Sequence, residues 1–247
     1  MSKKRIYISP SNQSGNVYAT GNTNEKEQCH KIAKACLEYL EKCGFIVKCT
    51  YNDNMYKRVE ESNNFKSDIH LAIHTNATAK HNITGGTQIL LYDATGERMK
   101  IATSIFNKLS PFTIGKGAEK IYSKPDFYEI NSARAITIYC ECEFHDTKEG
   151  SDFIIKNTKK IGELIAQGIC EYYGVKEKKK IYKVQTGAFT SKSNAEKHKK
   201  ALKEKGFDVD KKKIVLKDPI KNLGIYRIDV KLLPNISSKI VVKVESL

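Results

Sequence analysis

His74, Glu25 and Glu141 are the residues of this chain whose types and positions could do chemistry. His74 follows the apolar run Leu71–Ala72–Ile73 in "DIHLAIHTNA". Glu25 opens the segment "NEKEQCHKIAKACLEYLEKC", and Glu141 stands late in "AITIYCECEF". An imidazole and two carboxylates brought together make either a metal site or an acid–base site. Each residue also has an ordinary reading. A strand-end histidine can simply be half-exposed, and a glutamate in a helix's first turn complements the helix dipole. Glu141 is harder to set aside, because an unpaired carboxylate inside so apolar a strand is costly.

Convergence depends on the elements that carry these residues. "RIYIS", "FIVKCTY", "DIHLAIH", "TQILLY" and "AITIYCECEF" read as strands. Residues 24–43 read as a helix, with Asn24 as N-cap, Glu27 at the capping-box position and Gly44 beyond the end. Further helices are expected near 97–109, stopping before Pro111, and over 151–173. Such alternation predicts an α/β fold, with a mixed, mainly parallel twisted sheet covered by helices on both faces. Sites in these sheets form at the carboxyl ends of the strands. His74 and Glu141 are at that edge, and the helix opened by Glu25 follows the first strand and starts there too.

With 247 residues, the chain can form one large domain, or a medium one plus a small one. Its apolar content is ordinary, and no run of 18 apolar residues exists to span a membrane. The basic start "MSKKRIYISPSNQ" is not followed by a signal-peptide core, so synthesis in the cytoplasm is expected. Seven cysteines without a CxxC pair, three of them at positions 29, 36 and 43, read as reduced, buried small hydrophobes.

Charge is uneven along the chain. The net charge is +15, yet residues 175–247 hold 20 Lys/Arg against 8 Asp/Glu, and residues 1–174 hold 23 against 20. A break is expected at "YYGVKEKKKIYKV". It gives a first domain over 1–174, a lysine-rich linker over 175–180 and a small α+β domain over 181–247. The basic tail implies a polyanionic partner.

Four motifs now fall into one order. "IHTNA", "NEKEQCHKIA", "GGTQ" and "IYCECEF" resemble those of the zinc-dependent N-acetylmuramoyl-L-alanine amidases of the autolysin and phage endolysin type, over about residues 3–174. The resemblance implies a Zn²⁺ ion held by His74 and Glu25, Glu141 as general acid–base, and hydrolysis of the amide between N-acetylmuramic acid and L-alanine in peptidoglycan. Two departures stand out. Asn12 of "SPSNQ" occupies the place of the family's first zinc-binding histidine, and Glu143–Phe144–His145–Asp146 replaces a Gly-Phe-Leu-Ser stretch. His145 is therefore the expected third ligand, while Asn12, Gln13 and Asn76 are expected to contact substrate. His30 lies on a different helix face from Glu25. His70 shares its strand side with His74 but sits about 13 Å away at strand rise. Two other readings stay open: a binding module that has lost catalysis, and a zinc peptidase acting within the stem peptide.

"IYKVQTGAFTSKSNAEKHKKALKEKGFDV" resembles the first half of a sporulation-related repeat (SPOR) domain, which implies binding to glycan strands. The second half departs, reading as strands around Pro234. The basic charge favours anionic cell-wall polymers over nucleic acid. The protein is expected to act at the wall after release or lysis.

Overall fold

Alternating strands and helices build a six-stranded sheet that carries the candidate residues along one edge. The computed structural model describes residues 3–78, 85–176, 191–204, 224–233 and 236–244. The chain divides into two units, Met1–Lys178 and Lys179–Leu247. The first contains β1 (Arg5–Pro10), α1 (Glu25–Cys43), β2 (Ile46–Cys49), α2 (Met55–Phe65), β3 (Ile69–Asn76), β4 (Gln88–Leu91), α3 (Gly96–Leu109), β5 (Lys120–Ser123), α4 (Tyr128–Ser132), β6 (Ile136–Phe144) and α5 (Lys148–Tyr172).

The strand order is β2-β1-β3-β6-β4-β5. β1 pairs in parallel with β2 and β3, and β3 with β6. β4 runs antiparallel to β6 and parallel to β5. The sheet is therefore mixed and mainly parallel, as the alternation predicts. Period-two alternation then separates its faces. Ile69, Leu71 and Ile73 of β3 enter one large core with Ile138, Cys140 and Cys142 of β6, packed by Ile32 and Leu40 of α1, Ile101 and Ile105 of α3, and Ile161 and Ile165 of α5. Ala72 and Tyr139 face the other way and meet Leu90 and Ile130. His70, His74 and Glu141 share that second face by parity.

Local chemistry explains the ends of α1. The Asn24 side chain accepts a hydrogen bond from the Glu27 N–H (3.0 Å), and Gly44 ends the helix at φ 93°. Cys29, Cys36 and Cys43 line its buried side, outside any disulfide. The helices above the large core approach closely. A Cβ on Gly162 of α5 would lie 2.3 Å from the Ile32 carbonyl oxygen, and one on Gly168 would lie 2.4 Å from Ile105 Cα.

Three elements were not foreseen: α2, β5 and α4. In α2 only Arg58, Val59 and Ser62 are buried, so there is almost no apolar stripe to read, and it ends on a left-handed Lys66 rather than a glycine. α5 begins at Lys148, earlier than the expected 151, because the Thr147 hydroxyl caps it by accepting from the Gly150 N–H (3.1 Å).

The second unit contains α6 (Lys192–Glu204) and an antiparallel pair, β7 (Gly224–Leu233) and β8 (Ile236–Val244). The strand expected at "VQTGAF" and most of the expected linker lie outside the described residues. Among the described residues, no helix is long and apolar enough to cross a membrane.

Candidate active site

β3 delivers His74 to the carboxyl edge, where the register shifts between His74 and Asn76 as pairing with β6 ends. Glu25, the first residue of α1, arrives at the same edge and is 1% exposed. Its Oε1 lies 2.8 Å from His74 Nδ1, and its Oε2 accepts a hydrogen bond from Asn16 Nδ2 (2.6 Å). Tyr139 stacks on the imidazole, with centroids 4.3 Å apart and planes 19° from parallel. Glu141 is the strand partner of both His74 and Gln88, and its Oε2 is buried without a hydrogen-bond partner.

The charges sort themselves by environment. Burial pushes the Glu25 carboxyl up, but the hydrogen bond and charge of His74, with the Asn16 bond, hold it below its ordinary value. Burial pushes His74 down, and the Glu25 hydrogen bond with the charges of Glu141, Glu25 and Glu129 raises it above its ordinary value. Desolvation carries Glu141 up to about 7, against the opposing pull of His74. The edge thus presents one ionised carboxylate and one carboxyl poised near neutrality, the division of labour that acid–base chemistry needs.

The structure brings Gln13 to this pair as well. Its Nε2 lies 3.5 Å from His74 Nδ1, and its Oε1 accepts from Asn16 Nδ2 (3.0 Å). Asn12 is directed elsewhere. Its side chain donates to the Asp53 carbonyl and accepts from Arg58 (3.4 Å), tying the end of β1 to the segment before α2 and to α2 itself. Asn76 Nδ2 donates to Gln88 Oε1 (3.2 Å), on the wall of a cleft of about 420 Å³ that Ala118, Lys120 and Phe144 also line.

His145 makes its contacts with other residues. Its Nδ1 shares a hydrogen bond with Thr75 Oγ1 (3.0 Å), and its ring lies flat on Tyr18 at 4.8 Å and 3°. Thr75 follows His74 by one residue and so points to the opposite face, and Tyr18 belongs to the large core. Among the described residues, His145 makes no hydrogen bond or ion pair with His74 or Glu25. Nor is any group of three or more His, Cys, Asp or Glu arranged there to hold a metal ion. His30 packs on Tyr51 (4.6 Å), and His81 lies outside the described residues.

Glu129 was missed by sequence reasoning. α4 places it, 3% exposed, on the His74 face of the sheet. Its Oε1 accepts from Ser9 Oγ and lies 3.2 Å from His70 Nε2. Burial pushes its carboxyl up, yet the His70 hydrogen bond and charge, with Arg58 and His74, hold it at about 2. The available signal was slight: a glutamate between Tyr128 and Ile130 in "DFYEIN".

The fold and the family can now be placed. The chain resembles the N-acetylmuramoyl-L-alanine amidase AmiC2 of Nostoc punctiforme with a TM-score of 0.60 and 19% identity, over 70% of this chain and 98% of that one. It also resembles the catalytic domain of the CD27L endolysin targeting Clostridia difficile (TM-score 0.55, 24% identity, 68% and 97% covered). At these identities the likeness establishes the fold. The C-terminal region corrects an expectation, because residues 175–246 match the ribosomal protein L9 C-terminal domain in place of a SPOR domain. The large ribosomal subunit protein bL9 of Lachnoclostridium phytofermentans is 58% identical over 48 residues, 19% of this chain and 32% of that protein. The chain thus spans about a third of the length of the curated relatives it matches. The misreading has a physical source. The SPOR likeness rested on the strand–turn–helix segment alone, whereas the hairpin β7–β8 now follows α6 where a second helix was not legible. Residues 9–171 match the N-acetylmuramoyl-L-alanine amidase family model, and the chain belongs to that family.

Proposed function

We propose that the protein is a zinc-dependent N-acetylmuramoyl-L-alanine amidase that cuts peptidoglycan between N-acetylmuramic acid and L-alanine. The observation that carries this reading is the meeting of His74, Glu25 and Glu141 at the sheet edge. The donor set suits the ion in type. His74 Nδ1 and the Glu25 carboxylate are zinc ligands by chemistry, and in this structure they bond directly to each other at 2.8 Å. Gln13 reaches the same nitrogen at 3.5 Å, and a half-turn of its carboxamide would present the carbonyl oxygen there. We therefore assign the holding residues as His74, Glu25 and Gln13, with His145 supporting the core.

When bound, zinc would polarise the scissile carbonyl and lower the pKa of water toward neutrality. Glu141 accepts the proton of the attacking water and returns it to the departing amine of L-alanine. Its elevated pKa suits both transfers near neutral pH. Asn76, Gln88 and Lys120 line the cleft beside it and offer hydrogen-bonding groups to the stem peptide.

The basic tail binds a polyanion. Its 20 Lys/Arg against 8 Asp/Glu support this, and so does its likeness to a domain of a large-subunit ribosomal protein. Anionic wall polymer is the ligand that would deliver the amidase to its substrate, after release or lysis as for an endolysin, and RNA is the competitor. Metal analysis together with release of amino groups from purified sacculi tests the catalytic reading. Peptidoglycan binding with no bound zinc and no amine release would favour the non-catalytic binding module, which the absence of a three-residue His, Cys, Asp or Glu cluster among the described residues also favours.

A further inference from the structure

The end of β6 carries two acids that the chemistry at His74 and Glu141 does not use, Glu143 and Asp146. Both stand in the stretch that departs from the family pattern, Glu143 at the place of the glycine and Asp146 at the place of the serine. We infer that these two carboxylates are positioning residues that hold the opposite walls of the cleft beside Glu141. On the reading of that cleft as the stem-peptide site, they set which stem peptides the protein accepts.

β4 and β5 run opposite to β6, so they begin at the edge where β3 and β6 end. The cleft opens there, with Asn76 and Thr78 on the β3 flank, Gly117 and Ala118 on the β5 flank, and Gln88 and Phe144 between them. From His74 to Asn76 β3 advances two residues, while β6 advances three, from Glu141 to Phe144. The extra residue is a bulge, and bulges re-aim side chains beside sites. Glu143 sits in it, 1% exposed. Its Oε1 accepts from the Gly86 N–H (2.6 Å) and the Phe144 N–H (2.9 Å), and its Oε2 accepts from the Gly115 N–H (3.0 Å). Bonds to an ionised acceptor are among the stronger ones in a protein. These join the turn before β4 to the loop before β5. That loop is laced onward to β4, since the Ala118 N–H donates to the Gly85 carbonyl (3.0 Å) and Gln88 Nε2 to the Ala118 carbonyl (2.8 Å). Gly85 makes room for the carboxylate. Its φ of 52° is left-handed, and a Cβ there would fall on Glu143 Oε1.

Asp146 holds the other flank. Its Oδ2 accepts from both the N–H (2.7 Å) and the hydroxyl (3.0 Å) of Thr78. One turn of chain at the end of β6 thus fixes the backbone on both sides of the cleft. A carboxylate taken up by backbone N–H groups acts on a substrate through the wall it holds, not by touching it.

Two soluble fragments test the role: N-acetylmuramic acid bearing L-alanine alone, and the same sugar bearing the whole stem peptide. Their binding to the full-length protein is measured by calorimetry, and their cleavage by amine release. The parent is expected to prefer the long fragment in affinity and in KM. In Glu143→Gln and in Asp146→Ala that preference is expected to fall about tenfold, the worth of one or two hydrogen bonds lost from a wall, with kcat changing less than KM. Amide hydrogen exchange is expected to quicken at Gly86 and Gly115 in Glu143→Gln and at Thr78 in Asp146→Ala. Should Glu143→Gln fail to fold, Asp146→Ala, at a half-buried residue, carries the comparison. Equal losses for both fragments, or an unchanged preference, overturn the role of the two acids. So does a parent that binds both fragments alike, even one that cleaves them. A parent that prefers the long fragment but cleaves neither overturns the amidase reading alone, and the binding ratio in the variants still decides what holds the walls.

Discussion

His74 and Glu141 are cross-strand partners: their Cα atoms are in register on the parallel strands β3 and β6, and their side chains share one face of the sheet. One strand therefore carries an imidazole and its neighbour a carboxyl, held at a fixed spacing by the backbone ladder rather than by a loop. The same register sets Glu141 opposite Gln88 of β4, which lines the cleft of about 420 Å³.

Glu141→Gln is expected to keep the fold and bound zinc and to reduce hydrolysis by about 10²- to 10⁴-fold, because an amide cannot take up the water proton. Release of free amino groups from sacculi measures the loss, and parent-like release would remove Glu141 from the mechanism. The melting temperature should not fall, since Glu141 Oε2 has no hydrogen bond to lose.

Zinc content separates the candidate third ligands. Gln13→Ala is expected to lose zinc on dialysis, and Gln13→His to hold it more tightly than the parent, because imidazole nitrogen is the better ligand. His145→Gln should retain parent zinc, since its ring is occupied by Thr75 and Tyr18. Stoichiometric zinc in Gln13→Ala, with loss in His145→Gln, would reverse the assignment.

Acid sensitivity should reside partly in His145. Burial holds its pKa below the ordinary histidine value, against the weaker opposing charges of Glu25 and Asp146. The unfolded chain then binds the proton first. Stability from this residue is present above about pH 6.5 and is lost as pH falls through the lower folded-state pKa. His145→Phe should flatten the dependence of melting temperature on pH in that window. An unchanged slope would assign the acid sensitivity to other groups.

Gly162→Ala should destabilise the amidase unit by about 1–3 kcal/mol, as overpacking does. The added methyl would meet the Ile32 carbonyl oxygen, which belongs to helix backbone and cannot move alone. Chemical denaturation of residues 1–178 reads the change. An unaltered midpoint would mean that α1 and α5 can separate without loss.

Binding of the full chain to purified walls should weaken steeply with salt, because surface charges are screened beyond about 8 Å at physiological ionic strength. Residues 1–178 alone should bind less and with a shallower salt dependence. Equal salt dependence with and without residues 179–247 would take the lysine excess out of targeting, and preference for RNA over walls in a competition assay would redirect the tail.

The sequence by itself determined five of the six strands and the helices around the large core, and it singled out His74, Glu25 and Glu141 as candidates. Period-two alternation and the caps at Asn24 and Gly44 are local signals, and an apolar strand ending on His74 or containing Glu141 conflicts with its surroundings in a way that can be read one residue at a time. Only the tertiary structure decided the rest. Gln13 and Asn12 are adjacent in sequence, yet one reaches His74 and the other turns to Asp53 and Arg58, because the direction in which the loop leaves β1 sets their side chains apart. His145 lies just beyond the strand that bears Glu141, but its ring is taken up by Thr75 and Tyr18. Glu129 comes from a five-residue helix with no periodicity to read, and meets Ser9, His70 and His74 across separations of up to 120 residues. Residue type and spacing specify which groups are costly to bury; which of them then compensate one another depends on the chain's path through three dimensions.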